Sequence, residues 1–178
     1  METITPETAA EFHAPIEALR AELLQKHADK LNHWKFLELP LSEEEKQDRQ
    51  EIITLNPTKV KVLCNAGENR SAFVANILNQ AGFEADNSGV TGSHPFTAGD
   101  FAQPYDALVF MTETVRDSFY SRAEELQMID IVKNIPARIL NFPETSVFYG
   151  EKVAKEATLT ELKPKIQKAL DRIGFVEK

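Results

Sequence analysis

The order of patterns along this chain predicts an α/β fold with a parallel central sheet, helices on both faces and an N-terminal helical extension. Short strand-like runs alternate with stretches of helical spacing from about residue 59 onward. Alternation of that kind argues for parallel strands, because parallel neighbours need helix-length crossovers. In addition, Tyr105–Met111 is apolar almost throughout, as a strand covered on both faces is.

The first 56 residues carry helical patterns and no catalytic signature. Thr5-Pro6-Glu7 reads as a helix start with proline at the first helical position. After Pro15, the positions Ile16, Leu19, Leu23, Leu24, His27, Leu31 and Trp34 keep a helical spacing until Leu39-Pro40 breaks it. Ser42-Glu43-Glu44-Glu45 is a capping box that opens a charged helix to about Ile52. The Leu/Trp stripe has to be buried, so residues 1–56 are read as an extension packed on the core. A lid or partner surface is the competing reading. Asn56-Pro57 then marks the start of the α/β domain, residues 57–178.

In that domain a strand is expected at Lys59–Leu63 and a helix from about Arg70 to Gln80, stopped at Ala81-Gly82. A weaker strand follows near Phe83–Asn87. Ser88–Pro104 holds three glycines and two prolines and reads as irregular. After the Tyr105–Met111 strand, Thr112 or Thr114 caps a helix to about Gln127. Arg138–Phe142 is a short strand, Pro143–Gly150 a loop, and Leu159–Ile173 the last helix, with Pro164 allowed only in its first turn. Parallel sheets carry their ligand sites at the C-terminal strand ends. The loops after Leu63, Met111 and Phe142 should therefore open on one rim. Asp106 is read as a strand-end hydrogen-bonding residue, while Phe148-Tyr149 fits either a pocket wall or the core.

The chemistry concentrates at Cys64, the only cysteine in the chain. It ends the first strand, and after a five-residue gap Arg70 and Ser71 open a helix. Backbone N–H groups of Asn65, Ala66, Gly67, Glu68, Asn69 and Arg70 can line a cradle for a phosphate dianion, with the helix N-terminus adding positive potential. Arg70 supplies a planar fork matched to two phosphate oxygens. The same field favours a thiolate, making Cys64 a candidate nucleophile, and Ser71 is placed to donate to its sulfur. The pattern is that of a cysteine-dependent phosphatase. A buried, inert core cysteine is the bland alternative.

Cys64 to Ser71 at the end of the first sheet strand resembles the low-molecular-weight protein tyrosine phosphatase family. The segment is more similar still to the RNA polymerase II C-terminal-domain phosphatase family of that fold, above all in its Asn69-Arg70-Ser71 ending. Asn76-Ile77-Leu78, Gly82-Phe83 and Ser88–Gly92 run in step with it. The resemblance covers about residues 58–175 and implies a phosphomonoesterase working through a cysteinyl-phosphate, on a phosphorylated protein or peptide. It also implies an acid in the loop after the last strand, an aspartate in the family. Here Leu140–Thr145 offers Glu144 instead, so Glu144 is the candidate general acid. The long insertions of the polymerase phosphatases are absent, and the polymerase substrate is not carried over. Two alternatives use the same loop: a non-catalytic phosphate-binding module, and an arsenate reductase relying on an external thiol.

Bulk properties bound the rest. A chain of 178 residues that is 42% hydrophobic can bury one core. A net charge of −8 without a basic stripe argues against a nucleic-acid partner. No apolar run reaches the roughly 20 residues that span a bilayer. The acidic first residues lack a signal core, and a lone cysteine suits a reducing compartment, so a cytoplasmic protein is expected. His13, His27, His33 and His94 lack ligand spacing. With the loop amides and Arg70 supplying positive charge, no metal or cofactor is called for. Oligomeric state is not legible in the sequence.

Overall fold

Four parallel strands form one sheet in the order β2-β1-β3-β4. The computed structural model describes residue 18 and residues 34–65, 70–91, 95–142 and 152–178, with side chains in the last segment from 160 onward. Apart from residues 18 and 34, the helices expected near residues 5 and 16–34 lie outside the described residues, as do loop residues Ala66 to Asn69 and Pro143–Gly150 with Glu144 and Phe148-Tyr149. The chain divides into two compact units, residues 1–40 and 41–178. In the first, a 3₁₀ turn at Trp34–Glu38 buries Trp34 and Leu37, and the Trp34 and Phe36 rings stack at 6.0 Å.

The second unit begins with helix α1, Glu43–Leu55. Both halves of its capping box form: Ser42 Oγ accepts from Glu45 N–H, and Glu45 Oε1 accepts from Ser42 N–H. That second bond holds the Glu45 carboxyl below its ordinary range. The helix ends at Asn56, whose left-handed φ of 47° stops the spiral. The unit boundary falls before this helix and not at residue 56, so α1 belongs with the sheet. Its ties explain why. Ile52 is fully buried, Arg49 Nε donates to the carbonyl of Asp171 at 2.9 Å, and Arg138 reaches Glu51 at 3.0 Å.

Strand β1 spans Lys59–Cys64 and helix α2 spans Arg70–Gln80. Then come β2 (Glu84–Gly89), a 3₁₀ turn (Ala98–Phe101) and β3 (Ala107–Phe110). The remaining elements are α3 (Glu113–Glu125), α4 (Ile129–Val132), β4 (Ala137–Ile139) and α5 (Lys152–Arg172). Thr112, not Thr114, caps α3, its side chain accepting from Val115 N–H at 3.3 Å. The last helix starts at Lys152 instead of Leu159, so Pro164 lies well inside it and not in the first turn. Residues 152–158 carry good helix formers without an apolar stripe, so propensity extends a helix that periodicity did not mark. Among the described residues, no helix is long and apolar enough to cross a membrane.

Strand parity sets the faces. Leu63, Leu108 and Phe110 share one face with Val115 and Phe119 of α3, Val132 of α4 and Met128 between the two helices, in one apolar cluster. Phe119 is its centre, with ring centroids 4.6 Å from Phe96 and 5.2 Å from Phe110. Val60, Val62 and Cys64 point to the opposite face, where α2 packs on β1 and β2. Asp106 accepts from the N–H groups of Thr58 and Lys59, both at 2.9 Å, as expected of a strand-end residue.

A polar lock ties the edge strand β2 to β1 and to the start of β3 on the α3 side. Lys61, nearly inaccessible in mid-β1, pairs with Asp86 of β2 at 3.1 Å, and the Tyr105 hydroxyl donates to the other Asp86 oxygen at 2.6 Å. Burial, and then Asp86 itself, push the Tyr105 hydroxyl well above its ordinary value. The folded state therefore keeps a proton that the unfolded chain loses above about pH 10. This contribution is complete below pH 10 or so and declines as pH rises. Tyr105→Phe should accordingly flatten the loss of urea stability between about pH 9 and pH 11. An unchanged alkaline slope would show that the hydroxyl is not held in this way.

Gly174, at φ +106°, closes α5 against α1. A Cβ there would lie 2.6 Å from Ile52 Cβ and 2.7 Å from the Arg49 carbonyl oxygen, which is backbone and cannot step aside. Left-handed strain and overpacking together should cost Gly174→Ala about 2–5 kcal/mol in denaturant unfolding.

Candidate functional site

The site is built at the point where β1 ends and α2 begins. β1 is flanked on both sides by parallel partners, and its register runs through Cys64↔Gly89 on β2 and Leu63↔Phe110 on β3. Cys64 is thus fixed at the C-terminal rim of the sheet, 3% exposed. The chain then turns, and α2 opens at Arg70 and Ser71, 5% and 0% exposed.

Two sets of bonds fix the turn. The Cys64 carbonyl accepts from Val90 N–H at 3.0 Å, and the Asn65 carbonyl accepts from Val90 and Thr91 at 3.0 and 2.8 Å. In a trans peptide the carbonyl and the next N–H point opposite ways. Turning the Cys64 carbonyl out toward Val90 therefore directs the Asn65 N–H to the other side of that peptide. On the α2 side, Cys64 Sγ lies 3.1 Å from Ser71 Oγ. Asn87 Nδ2 donates to the same Oγ at 3.4 Å. Asn87 thus helps hold the Ser71 hydroxyl in contact with the sulfur.

Arg70 connects this turn to the far side of the sheet. Its Nη1 donates to the Phe142 carbonyl at 2.7 Å. Phe142 is fully buried, and its own N–H donates to the Met111 carbonyl at 2.8 Å, just past the end of β3. Among the described residues, the ends of β1, β3 and β4 meet through Arg70, Met111 and Phe142.

Of the expected site residues, the structure brings together Cys64, Arg70 and Ser71, with Asn65 beginning the loop. Ala66, Gly67, Glu68, Asn69 and Glu144 lie outside the described residues. Asn87 and the Phe142 carbonyl are not evident from the sequence. Asn87 has a signal: on β2 it has the parity of Val62 and faces α2, an amide where a strand would bury an apolar side chain. A backbone carbonyl leaves no such trace. Among the described residues there is no group of three His, Cys, Asp or Glu side chains placed to hold a metal ion.

No protein-family model matches the chain, and no curated protein matches it. Among solved structures, it is similar to the solution structure of a low molecular weight protein tyrosine phosphatase from Bacillus subtilis. The identity is 12%, the TM-score 0.47, and the match covers 65% of this chain and 96% of that one.

Proposed function

We propose that this chain is a cysteine-dependent phosphatase that hydrolyses phosphomonoesters of phosphoproteins, on serine, threonine or tyrosine, through a cysteinyl-phosphate. The observation that carries the proposal is the contact between Cys64 Sγ and Ser71 Oγ, with Arg70 adjoining it at the helix start. A buried cysteine serving only as a core hydrophobe has no need of an oriented hydroxyl, an amide behind it and an anchored guanidinium.

The thiolate of Cys64 attacks phosphorus in line with the leaving oxygen. Loop amides and Arg70 hold the equatorial oxygens, whose charge is greatest in the transition state. Ser71 donates to the sulfur, which steadies the thiolate before attack and again when it departs. Glu144 protonates the leaving alkoxide or phenoxide and then takes a proton from the water that cleaves the S–P bond, regenerating the thiolate and releasing inorganic phosphate. Glu144 is supported by reach. The Phe142 carbonyl touches Arg70, and two residues of chain extend no more than about 7 Å. The longer glutamate side chain adds a methylene to that reach. The resemblance of residues 64–71 to polymerase C-terminal-domain phosphatases favours a phosphoprotein over a small metabolite.

Turnover of p-nitrophenyl phosphate tests the proposal. Cys64→Ser should abolish it while vanadate and phosphate still bind, and normal turnover in that variant would sink the reading. Arg70→Lys keeps the charge but loses the fork, and kcat should fall on the order of 10²-fold. A wild-type protein that binds phosphate and turns over no phosphomonoester is a binding module instead.

The acid is tested by leaving-group dependence. Glu144→Gln should slow alkyl phosphates by roughly 10²–10⁴-fold and p-nitrophenyl phosphate far less, since nitrophenolate leaves without a proton. The basic limb of the pH–rate profile should flatten, with the acidic limb retained. Equal activity on both substrate classes would put the acid elsewhere.

A further inference from the structure

Three described non-glycine residues adopt positive φ: Asn56, Gln127 and Asn141. Asn56 caps α1, and Gln127 lies just past the end of α3, where left-handed residues are ordinary helix stops. Asn141 stops no helix. It sits just past β4 at φ +63°, exposed, between Leu140 and Phe142, which are both almost wholly buried. The residues on either side hold the β3 ladder: Leu140 N–H donates to Phe110 and Phe142 N–H to Met111, both at 2.8 Å. The left-handed step is thus confined to a single residue in an otherwise pinned segment. The next carbonyl along the chain, that of Phe142, accepts from Arg70.

We infer that Asn141 is a positioning residue for the phosphatase reaction, its left-handed backbone setting the Phe142 carbonyl so that Arg70 is held in the orientation that grips the phosphoryl group. This rests on the phosphatase reading above. A guanidinium offers a dianion either its Nε–Nη2 edge or its Nη1–Nη2 edge. A carbonyl 2.7 Å from Nη1 engages one nitrogen of the second edge, which favours the first and restrains the group before substrate arrives. An arginine held in advance loses little freedom in the transition state, which is where its interaction counts. Asparagine suits the joint because it tolerates the left-handed region better than other side chains do, glycine aside.

The test is a series at Asn141 read by kcat, KM and two inhibitors. Asn141→Gly preserves access to positive φ and should stay within about threefold of wild type. Asn141→Val, β-branched and excluded from that region, should lower kcat on the order of 10²-fold, the effect of misplacing a catalytic group by about an ångström. KM should change little. Vanadate, which mimics the five-coordinate transition state, should lose inhibition in parallel with kcat, whereas inorganic phosphate should lose far less. Thermal unfolding reports whether the valine variant folds; if it does not, Asn141→Ala carries the same expectation at smaller size. A folded valine or alanine variant with wild-type kcat overturns the inference, as does a glycine variant equally impaired, or a rise in KM alone. Failure of the parent reading is seen separately, as a wild-type protein inactive on every phosphomonoester, and the inference then falls with it.

Discussion

The closure between Cys64 and Ser71 is the constraint on which the rest of the site depends. Seven residues that extended would span about 25 Å return instead to a sulfur–oxygen separation of 3.1 Å. The described residues show what holds the two ends of this turn. It is clamped from outside: Val90 and Thr91 hold the carbonyls at its start, and Asn87 holds the hydroxyl at its end. All three clamps come from β2 and its exit, so the pairing of β1 with β2 is as much part of the site as Cys64 is. A shift of one residue in that register would bring the wrong face of β2 to Ser71.

This dependence gives a reason for the lock on the opposite side of the sheet. Lys61 and Asp86 are directly paired across β1 and β2, and Tyr105 ties the same carboxylate to the start of β3. With Asp86 half-exposed on the edge strand β2, the pair itself adds little net stability. Its value is that a one-residue slip in either direction leaves it unsatisfied. Slip β2 by one residue and Lys61 faces Ala85 or Asn87, with its ammonium buried and unsolvated. The lock therefore discriminates between registers by the desolvation of a charge, while the clamps on the far face use the register so fixed.

The parts legible in the sequence are those with strong local signals. The spacing from Cys64 to Arg70 and Ser71 lies between a strand pattern and a helix pattern, and β-branched or apolar runs mark β1 and β3. Parallel order comes from alternation, and Asp106 is the strand-end acceptor that its position suggests. The illegible parts have physical reasons. The helix Ile129–Val132 is too short to show a period. The start of α5 rests on propensity without amphipathicity. β4 pairs only over Ala137–Ile139 because the left-handed Asn141 bends the chain out of the ladder, though its neighbours still bond to β3. Asn87 is hidden because β2, Glu-Ala-Asp-Asn-Ser-Gly, is a poor strand by composition; its partners make it one.

Net charge adds a final constraint on how such a site would recognise its ligand. At −8 the chain as a whole repels a phosphate dianion, and at physiological ionic strength that field fades over about 8 Å. Arg70 is almost wholly buried, so its own attraction acts at short range through low-dielectric surroundings and is screened far less. Selection then occurs at contact and not during approach. A phosphoester bound there would have to be seated before the favourable term exceeded the unfavourable one. Within a phosphatase reading, this is why an orientation fixed in advance at Arg70 matters more here than it would in a basic protein: little long-range steering is available to compensate for a misaligned fork.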